Sequence, residues 1–201
     1  MRKWKRDLLR LRQKIKQERN RINMTSQTLR EARKYEEASE KMIKQEERPD
    51  FHLSVRTGWM NDPNGFSYYN GQYHLFYQYN PYAPRWDSMH WGHAVTKDFL
   101  HWDYLPAALA PDEAYDRDGC FSGSALTLPD GRQLLMYTGV LRERKENGEH
   151  CDTQTQCLAV GDGVDYEKCA GNPVLDKNDI PEGSSVHDFR DPKMWQAEDG
   201  T

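Results

Sequence analysis

Asn70-Gly71, set between Phe66–Tyr69 and Gln72–Asn80, constrains this chain more than any other pair of residues. The dipeptide supplies the two left-handed positions that a two-residue hairpin requires, so the flanking runs read as antiparallel strands. The same rhythm continues downstream. His90–Thr96, Phe99–Leu105, Phe121–Leu128, Arg132–Val140 and Thr153–Gly161 read as further strands, and Pro129-Asp130-Gly131 joins two of them. Short strands at this spacing, with no helical stretch between them, indicate an all-β fold: a propeller, a sandwich or a barrel. No exact repeat selects among the three.

Composition then divides the chain. Residues 1–48 hold 16 of the 28 Lys and Arg and 8 of the 32 Asp and Glu, leaving 12 and 24 for residues 49–201. The second part also carries five of the six Trp and all six Phe, so the core must form there. Residues 1–24 read as a helix with Trp4, Leu8, Leu11, Ile15 and Ile22 on an apolar stripe. A second helix is expected from Thr28, where Thr28-x-x-Glu31 matches a capping box, to about Arg48, before Pro49. Met24 lies between the two, and translation is expected to begin there, with residues 1–23 outside the native chain. The basic stripe reads as a solvated helix face, although RNA or an anionic surface would also suit it.

The acidic main part argues against a nucleic-acid partner, because phosphate binding rests on clustered Lys and Arg. No apolar run of about 18 residues exists to span a membrane. No apolar segment follows the basic start as in a secretory signal. The expected location is therefore cytoplasmic. Cys120, Cys151, Cys157 and Cys169 lack C-x-x-C spacing and are expected as free thiols.

Phosphate-loop, dinucleotide and hydrolase-elbow patterns are absent from the sequence. His90-x-x-His93 has the letters of a metal pair, but residues three apart on a strand face opposite ways. No metal and no cofactor are expected. What remains is carboxylates, amides and aromatics. Asp-Pro occurs twice, at Asp62-Pro63 within Trp59-Met60-Asn61-Asp62-Pro63-Asn64-Gly65 and at Asp191-Pro192 after Arg190. Turn chemistry accounts for every polar letter of the first stretch, which reads as a tight turn. A placed carboxylate accounts for them as well, since a following proline keeps the preceding backbone extended. Arg190 within about 4–6 Å would favour an ionised Asp191. Two such acids in a pocket lined by Trp and Tyr suit a sugar, whose C–H faces stack on rings while its hydroxyls bind carboxylates and amides.

The first motif and Phe76-Tyr77-Gln78-Tyr79-Asn80-Pro81 together resemble the invertase family of glycoside hydrolases, with its sucrose-6-phosphate hydrolases, inulinases and levanases. Trp91-Gly92-His93-Ala94-Val95, followed by Asp98 and His101-Trp102, matches too, as do Phe121-Ser122-Gly123-Ser124-Ala125 and Phe189-Arg190-Asp191-Pro192-Lys193. The motifs keep the family's order over roughly residues 51–195. The resemblance implies a five-bladed β-propeller followed by a β-sandwich. It implies Asp62 as the nucleophile that takes up a β-fructofuranosyl unit. Asp191, beside Arg190, would bind fructose hydroxyls and stabilise the oxocarbenium-like transition state. Trp59, Asn61, Gln78, Trp86, Phe121 and Ser122 would line the fructose pocket. Strand alternation in Gln72–Asn80 puts His74, Phe76, Gln78 and Asn80 on one face, so Gln78 can reach a polar site.

The family's acid/base glutamate stands in a Glu-Cys motif several tens of residues after Arg-Asp-Pro. Thr201 comes ten residues after Asp191, and Glu167-Lys168-Cys169 precedes that aspartate. A retaining glycosidase needs both carboxylates. The reading is therefore a charged helical extension over 1–48 and a truncated propeller portion over 49–201, about two and a half to three blades. Such a chain is expected to be inactive alone. The expected substrate is sucrose 6-phosphate or sucrose, the phosphorylated form being favoured by the cytoplasmic location. The alternatives are a fructan exo-hydrolase or fructosyltransferase, and a non-catalytic fructose-binding remnant.

Overall fold

The computed structural model describes residues 25–144 and 148–197. The helix expected over residues 1–24, with the proposed start at Met24, lies outside the described residues. Eight strands follow a helix α1 (Gln27–Glu40) and a short 3-10 turn (Gln45–Glu47). They are β1 (Trp59–Tyr69), β2 (Gln72–Asn80), β3 (His90–Thr96), β4 (Trp102–Leu109), β5 (Gly119–Thr127), β6 (Gln133–Arg144), β7 (His150–Gly161) and β8 (Tyr166–Lys168). They form two four-stranded antiparallel meanders, β1-β2-β3-β4 and β5-β6-β7-β8, each in chain order.

The first hairpin has the register its turn dictates. Tyr69 faces Gln72, with Asn70 at φ 49° and Gly71 at φ 82°. The sequence preceding it differs from expectation. Trp59–Gly65 is not a tight turn but the first part of β1, interrupted by two bulges. Asn61 and Asp62 stand where the partner strand offers only Gln78, between the pairs Met60–Tyr79 and Pro63–Tyr77. Pro63 has no N–H to give a ladder, and a bulge on an edge strand tolerates that loss. Gly65, at φ 56°, lies in the second bulge, where a Cβ would come 2.5 Å from the Phe76 ring.

Two other boundaries move for local reasons. β4 begins at Trp102, three residues later than expected. Asp98 Oδ1 accepts the Leu100 and His101 amides, and Phe99 sits at φ 64°, so the chain turns before it extends. The helix is capped by Ser26 rather than Thr28, its Oγ accepting the Leu29 N–H at 3.1 Å. It ends at Glu40 instead of near Arg48, the Met42 and Ile43 amides donating three residues back and tightening the last turn. β8 was not foreseen, three residues being too few for a pattern.

Two apolar clusters hold the elements together. Phe76, Trp91, Leu109, Cys120, Leu135, Tyr137 and Tyr166 pack between the two sheets. Tyr77, Tyr79, Ala94, Ala107 and Ala110 form the other face of the first sheet, covered by Leu29 of α1. The alternation along β2 thus falls as expected, with Phe76 and Gln78 toward the second sheet and Tyr77 and Tyr79 away from it. Side chains also bridge the sheets. Gln133 donates to Ser67 Oγ at 2.9 Å, and the Tyr69 hydroxyl to the Gly131 carbonyl at 2.9 Å. The thiols of Cys120, Cys151, Cys157 and Cys169 are free.

Three buried histidines make this packing sensitive to acid. His74 Nδ1 and His93 Nε2 are 3.0 Å apart between the sheets, and His93 stacks on Phe76. His90 points to the other side, beside Tyr82, with Nδ1 2.6 Å from the Ser88 carbonyl. Burial lowers all three; for His90 it carries the value from 6.5 to about 4. The folded form therefore holds them neutral while the unfolded chain takes up protons first, so stability present above pH 6.5 is lost as pH falls toward 4. For His90 alone the loss is on the order of 3 kcal/mol. Urea unfolding at pH 7.5 and pH 5.0 is expected to show a clearly lower midpoint at pH 5.0; equal midpoints would contradict it.

Candidate active site

The bulge in β1 has a counterpart in β5. Phe121 pairs with Thr138 and Gly123 with Tyr137, leaving Ser122 as the extra residue. Gly123 makes the approach possible, since a Cβ there would lie 1.9 Å from the Met136 carbonyl oxygen. The first strand of each sheet thus breaks its ladder at the same end of the structure. Between the two breaks lies a cleft with a cavity volume of about 140 Å³, lined by Asn61, Asp62, Gln78, Trp86, Phe121, Ser122, Arg190 and Asp191. All eight were singled out from the sequence. Trp59, the ninth, does not line the cleft; its indole N–H donates to Asn61 Oδ1 at 2.9 Å and fixes that amide from behind.

The floor is tied down by hydrogen bonds between the sheets. Gln78 is almost fully buried and donates to the Cys120 carbonyl at 3.0 Å. The Trp91 indole donates to the Phe121 carbonyl at 3.1 Å, and Asn64 Nδ2 to Ser122 Oγ at 3.3 Å. At the mouth, Trp86 is 44% exposed and meets Phe121 edge to face at 6.0 Å. The Arg142 guanidinium sits 5.5 Å from the centre of the Trp86 ring and is itself held by Asp152 through bonds of 2.8 and 3.0 Å.

Asp191 is placed from the second sheet, in a way its sequence did not suggest. A residue before proline is expected to be extended, yet Asp191 has φ 59°. Thr138 Oγ1 accepts the Asp191 N–H at 3.0 Å, and Asp is among the few residues that enter this region at modest cost. The cross-strand neighbour of Thr138, Gln156, donates to the Phe189 carbonyl at 2.7 Å. Ser124 Oγ donates to the Pro192 carbonyl at 2.9 Å and accepts the Met194 amide at 2.8 Å. Three polar side chains of β5, β6 and β7 therefore clamp residues 189–194 across the open end of the cleft.

Arg190 is less engaged with its neighbour than the sequence suggested. Its Nη1 lies 2.6 Å from Asp188, whereas its Nε is 3.8 Å from Asp191. Partial burial lifts the Asp191 carboxyl above its ordinary value, Arg190 pulls the other way, and the Asp62 carboxylate adds to the rise. Asp62 is itself exposed at the cleft surface. The arrangement can bind a polyhydroxylated ring: carboxylates and amides for hydroxyls below, aromatic faces beside them, and one exposed carboxylate, Asp62, open to a ligand. Among the described residues no group of three His, Cys, Asp or Glu could hold a metal ion. No helix there is long and apolar enough to cross a membrane.

Thr138, Gln156, Arg142 and Asp152 escaped the sequence reading. Polarity inside an apolar run marked Thr138 alone, Arg142, Asp152 and Gln156 lying among other polar residues, and their pairing depends on a register that the sequence does not state.

Comparison with known proteins agrees with the motifs. The model of the glycosyl hydrolases family 32 N-terminal domain matches residues 52–201. A sucrose-6-phosphate hydrolase of Zymomonas mobilis is 44% identical over 163 residues, which is 81% of this chain and 30% of that protein. A raffinose invertase of Escherichia coli is 47% identical over 76% of this chain and 30% of its own length. Among solved structures, the Bombyx mori β-fructofuranosidase BmSUC1 superposes with a TM-score of 0.72 at 42% identity, covering 85% of this chain and 34% of the insect protein. The chain thus spans about a third of the relatives it matches. With motifs, fold and family model coinciding over the same residues, the chain belongs to glycosyl hydrolase family 32, whose N-terminal domain it carries.

Proposed function

We propose that the cleft is the fructosyl site of a retaining β-fructofuranosidase, acting on sucrose, sucrose 6-phosphate or a related fructoside. The observation that carries this is the convergence of Asp62, Asp191, Arg190, Asn61 and Gln78 with Trp86 and Phe121 in one small cleft. Asp62 attacks the anomeric carbon as its bond to the leaving sugar's oxygen breaks, the pair passing to that oxygen, which takes up a proton; water then displaces the Asp62 carboxylate from the covalent fructosyl-enzyme and frees fructose. Asp191 and Arg190 bind fructose hydroxyls, and Asp191 stabilises positive charge that develops on the ring. Asn61, held by Trp59, and Gln78 fix the remaining hydroxyls. The two four-stranded sheets are two successive blades of a five-bladed propeller, residues 49–201 belonging to the catalytic domain with helix α1 packed before them. The BmSUC1 protein has a variant solved in complex with sucrose, and a Cichorium intybus fructan 1-exohydrolase of the same architecture one with 1-kestose, which supports a fructoside as ligand.

A second reading is favoured by one feature. Among the described residues the carboxylates lining the cleft are Asp62 and Asp191, and with Asp62 as nucleophile and Asp191 on the ring the chain would bind sucrose without turning it over. Calorimetric titration tests the common ground of both readings: fructose is expected to bind the 201-residue chain, and Asp191→Ala to weaken it tenfold or more, a charged hydrogen bond being worth about 1.5–3 kcal/mol. No fructose binding by the unmodified chain would overturn both.

A further inference from the structure

We propose that the mouth of the cleft selects fructosides whose leaving group is uncharged, so that this chain takes sucrose in preference to sucrose 6-phosphate. The inference rests on the fructosyl reading above and names its substrate class. The buried end of the cleft is closed by Gln78, whereas Trp86 stands half exposed at its opening. A sugar attached to the bound fructose must therefore leave past Trp86. A phosphate on that sugar would need a cation there to replace its water.

Among the described residues each guanidinium near that opening already faces a carboxylate. Arg142 lies over the Trp86 ring, but Asp152 occupies its guanidinium through two hydrogen bonds, and Asp118 accepts its backbone N–H at 2.8 Å. The nearby Asp87 adds a further negative charge facing it. Arg85 and Arg117 are each met by a carboxylate, Asp87 at 3.9 Å and Asp118 at 3.4 Å. Arg190 is taken up by Asp188 and Asp191. Lys193, two residues beyond Asp191, is exposed and does not line the cleft. Asp62 and Asp191 thus outnumber Arg190 among the charged groups lining the cleft, and the arginines around it each share their charge with a carboxylate. A phosphate, close to a dianion at pH 7.5, meets repulsion without a compensating bond. An uncharged glucosyl unit meets an indole stiffened from beneath by Arg142, a surface suited to a sugar face.

Titration of the 201-residue chain at pH 7.5 and low ionic strength with fructose, sucrose and sucrose 6-phosphate tests this. Sucrose is expected to bind roughly tenfold tighter than its 6-phosphate, with the gap narrowing at 0.5 M salt. Asp152→Asn, which releases Arg142, is expected to shrink the ratio severalfold. So is Asp87→Asn, a change at an exposed side chain that leaves the packed strands untouched. Equal or tighter binding of the 6-phosphate, with fructose still bound, would overturn the selection and leave the fructosyl site standing. A ratio unmoved in both variants would overturn the electrostatic cause. Binding of none of the three sugars would overturn the fructosyl reading, and this inference with it.

Discussion

Incubated with β-fructofuranosyl fluoride, the 201-residue chain is expected to gain the mass of one fructosyl unit on Asp62, and Asp62→Asn to gain none. The reagent separates the two halves of a retaining reaction. Fluoride departs with the C–F bonding pair and needs no proton, so the ester between carbon and the Asp62 carboxylate can form without an acid. The glucose of sucrose leaves as an alkoxide unless protonated, and general acid catalysis is worth about 10²–10⁴-fold. Cleavage of sucrose by the same chain is therefore expected to be slower than labelling by at least about 100-fold. The adduct is also expected to persist, because the role proposed for Asp191, whose backbone is held by Thr138 beside Arg190, is to bind the ring and not to activate water. Digestion and mass mapping of the 59–65 peptide read the result. A chain that binds fructose but takes no label would remove Asp62 from the role of nucleophile. Sucrose cleaved as fast as the fluoride would show that a proton donor acts at the cleft.

How far the cleft could be read from sequence differs from residue to residue, and the differences have physical causes. Gln78 was placed on the correct face because strand period is fixed at two and the Asn70-Gly71 turn fixes the register. Asp62 was singled out by its neighbours, but the device that presents it was misread. A run of Asn, Asp, Pro and Gly has the same composition whether it makes a turn or a bulge, and only the partner strand decides. Here Gln78 facing both Asn61 and Asp62 decides for the bulge. Asp191 was named from the same logic, yet its conformation followed a contact with Thr138, 53 residues away, and not its own proline. Arg142 and Asp152, paired across β6 and β7, gave no local sign that they would sit under Trp86. Local rules reach what local sterics determine, and pairings set by tertiary register lie beyond them.

The same limit explains Glu36, whose replacement by alanine is expected to cost the fold about 3–5 kcal/mol. In the sequence Glu36 and Glu37 are alike, two charges in a segment that looks solvated. In the structure Leu29, Ala32, Glu36 and Ser39 form the buried stripe of α1, so the glutamate lies where an apolar residue would be expected. It is 1% exposed and accepts the Ala107 N–H at 3.0 Å, while Arg33 donates to the Ala107 carbonyl at 2.9 Å. Both backbone groups of that residue in β4, the outermost strand of the first sheet, are thereby satisfied by the helix, which covers an edge that would otherwise be open. Arg56 completes the site, 3.2 Å from Glu36 and 2.9 Å from Glu40. Burial raises the Glu36 carboxyl, and the Ala107 amide and Arg56 oppose it. Alanine would leave a largely buried guanidinium short of its partner and a strand amide without an acceptor. That loss is a large part of the 5–15 kcal/mol typical of a domain. Glu37, exposed and paired with Lys41 at 3.3 Å, serves as the control, its alanine variant being expected within about 0.5 kcal/mol of the parent. Urea midpoints of the two variants decide the matter. If Glu36→Ala unfolds no more easily than Glu37→Ala, α1 is an appendage of the sheet and does not guard its edge.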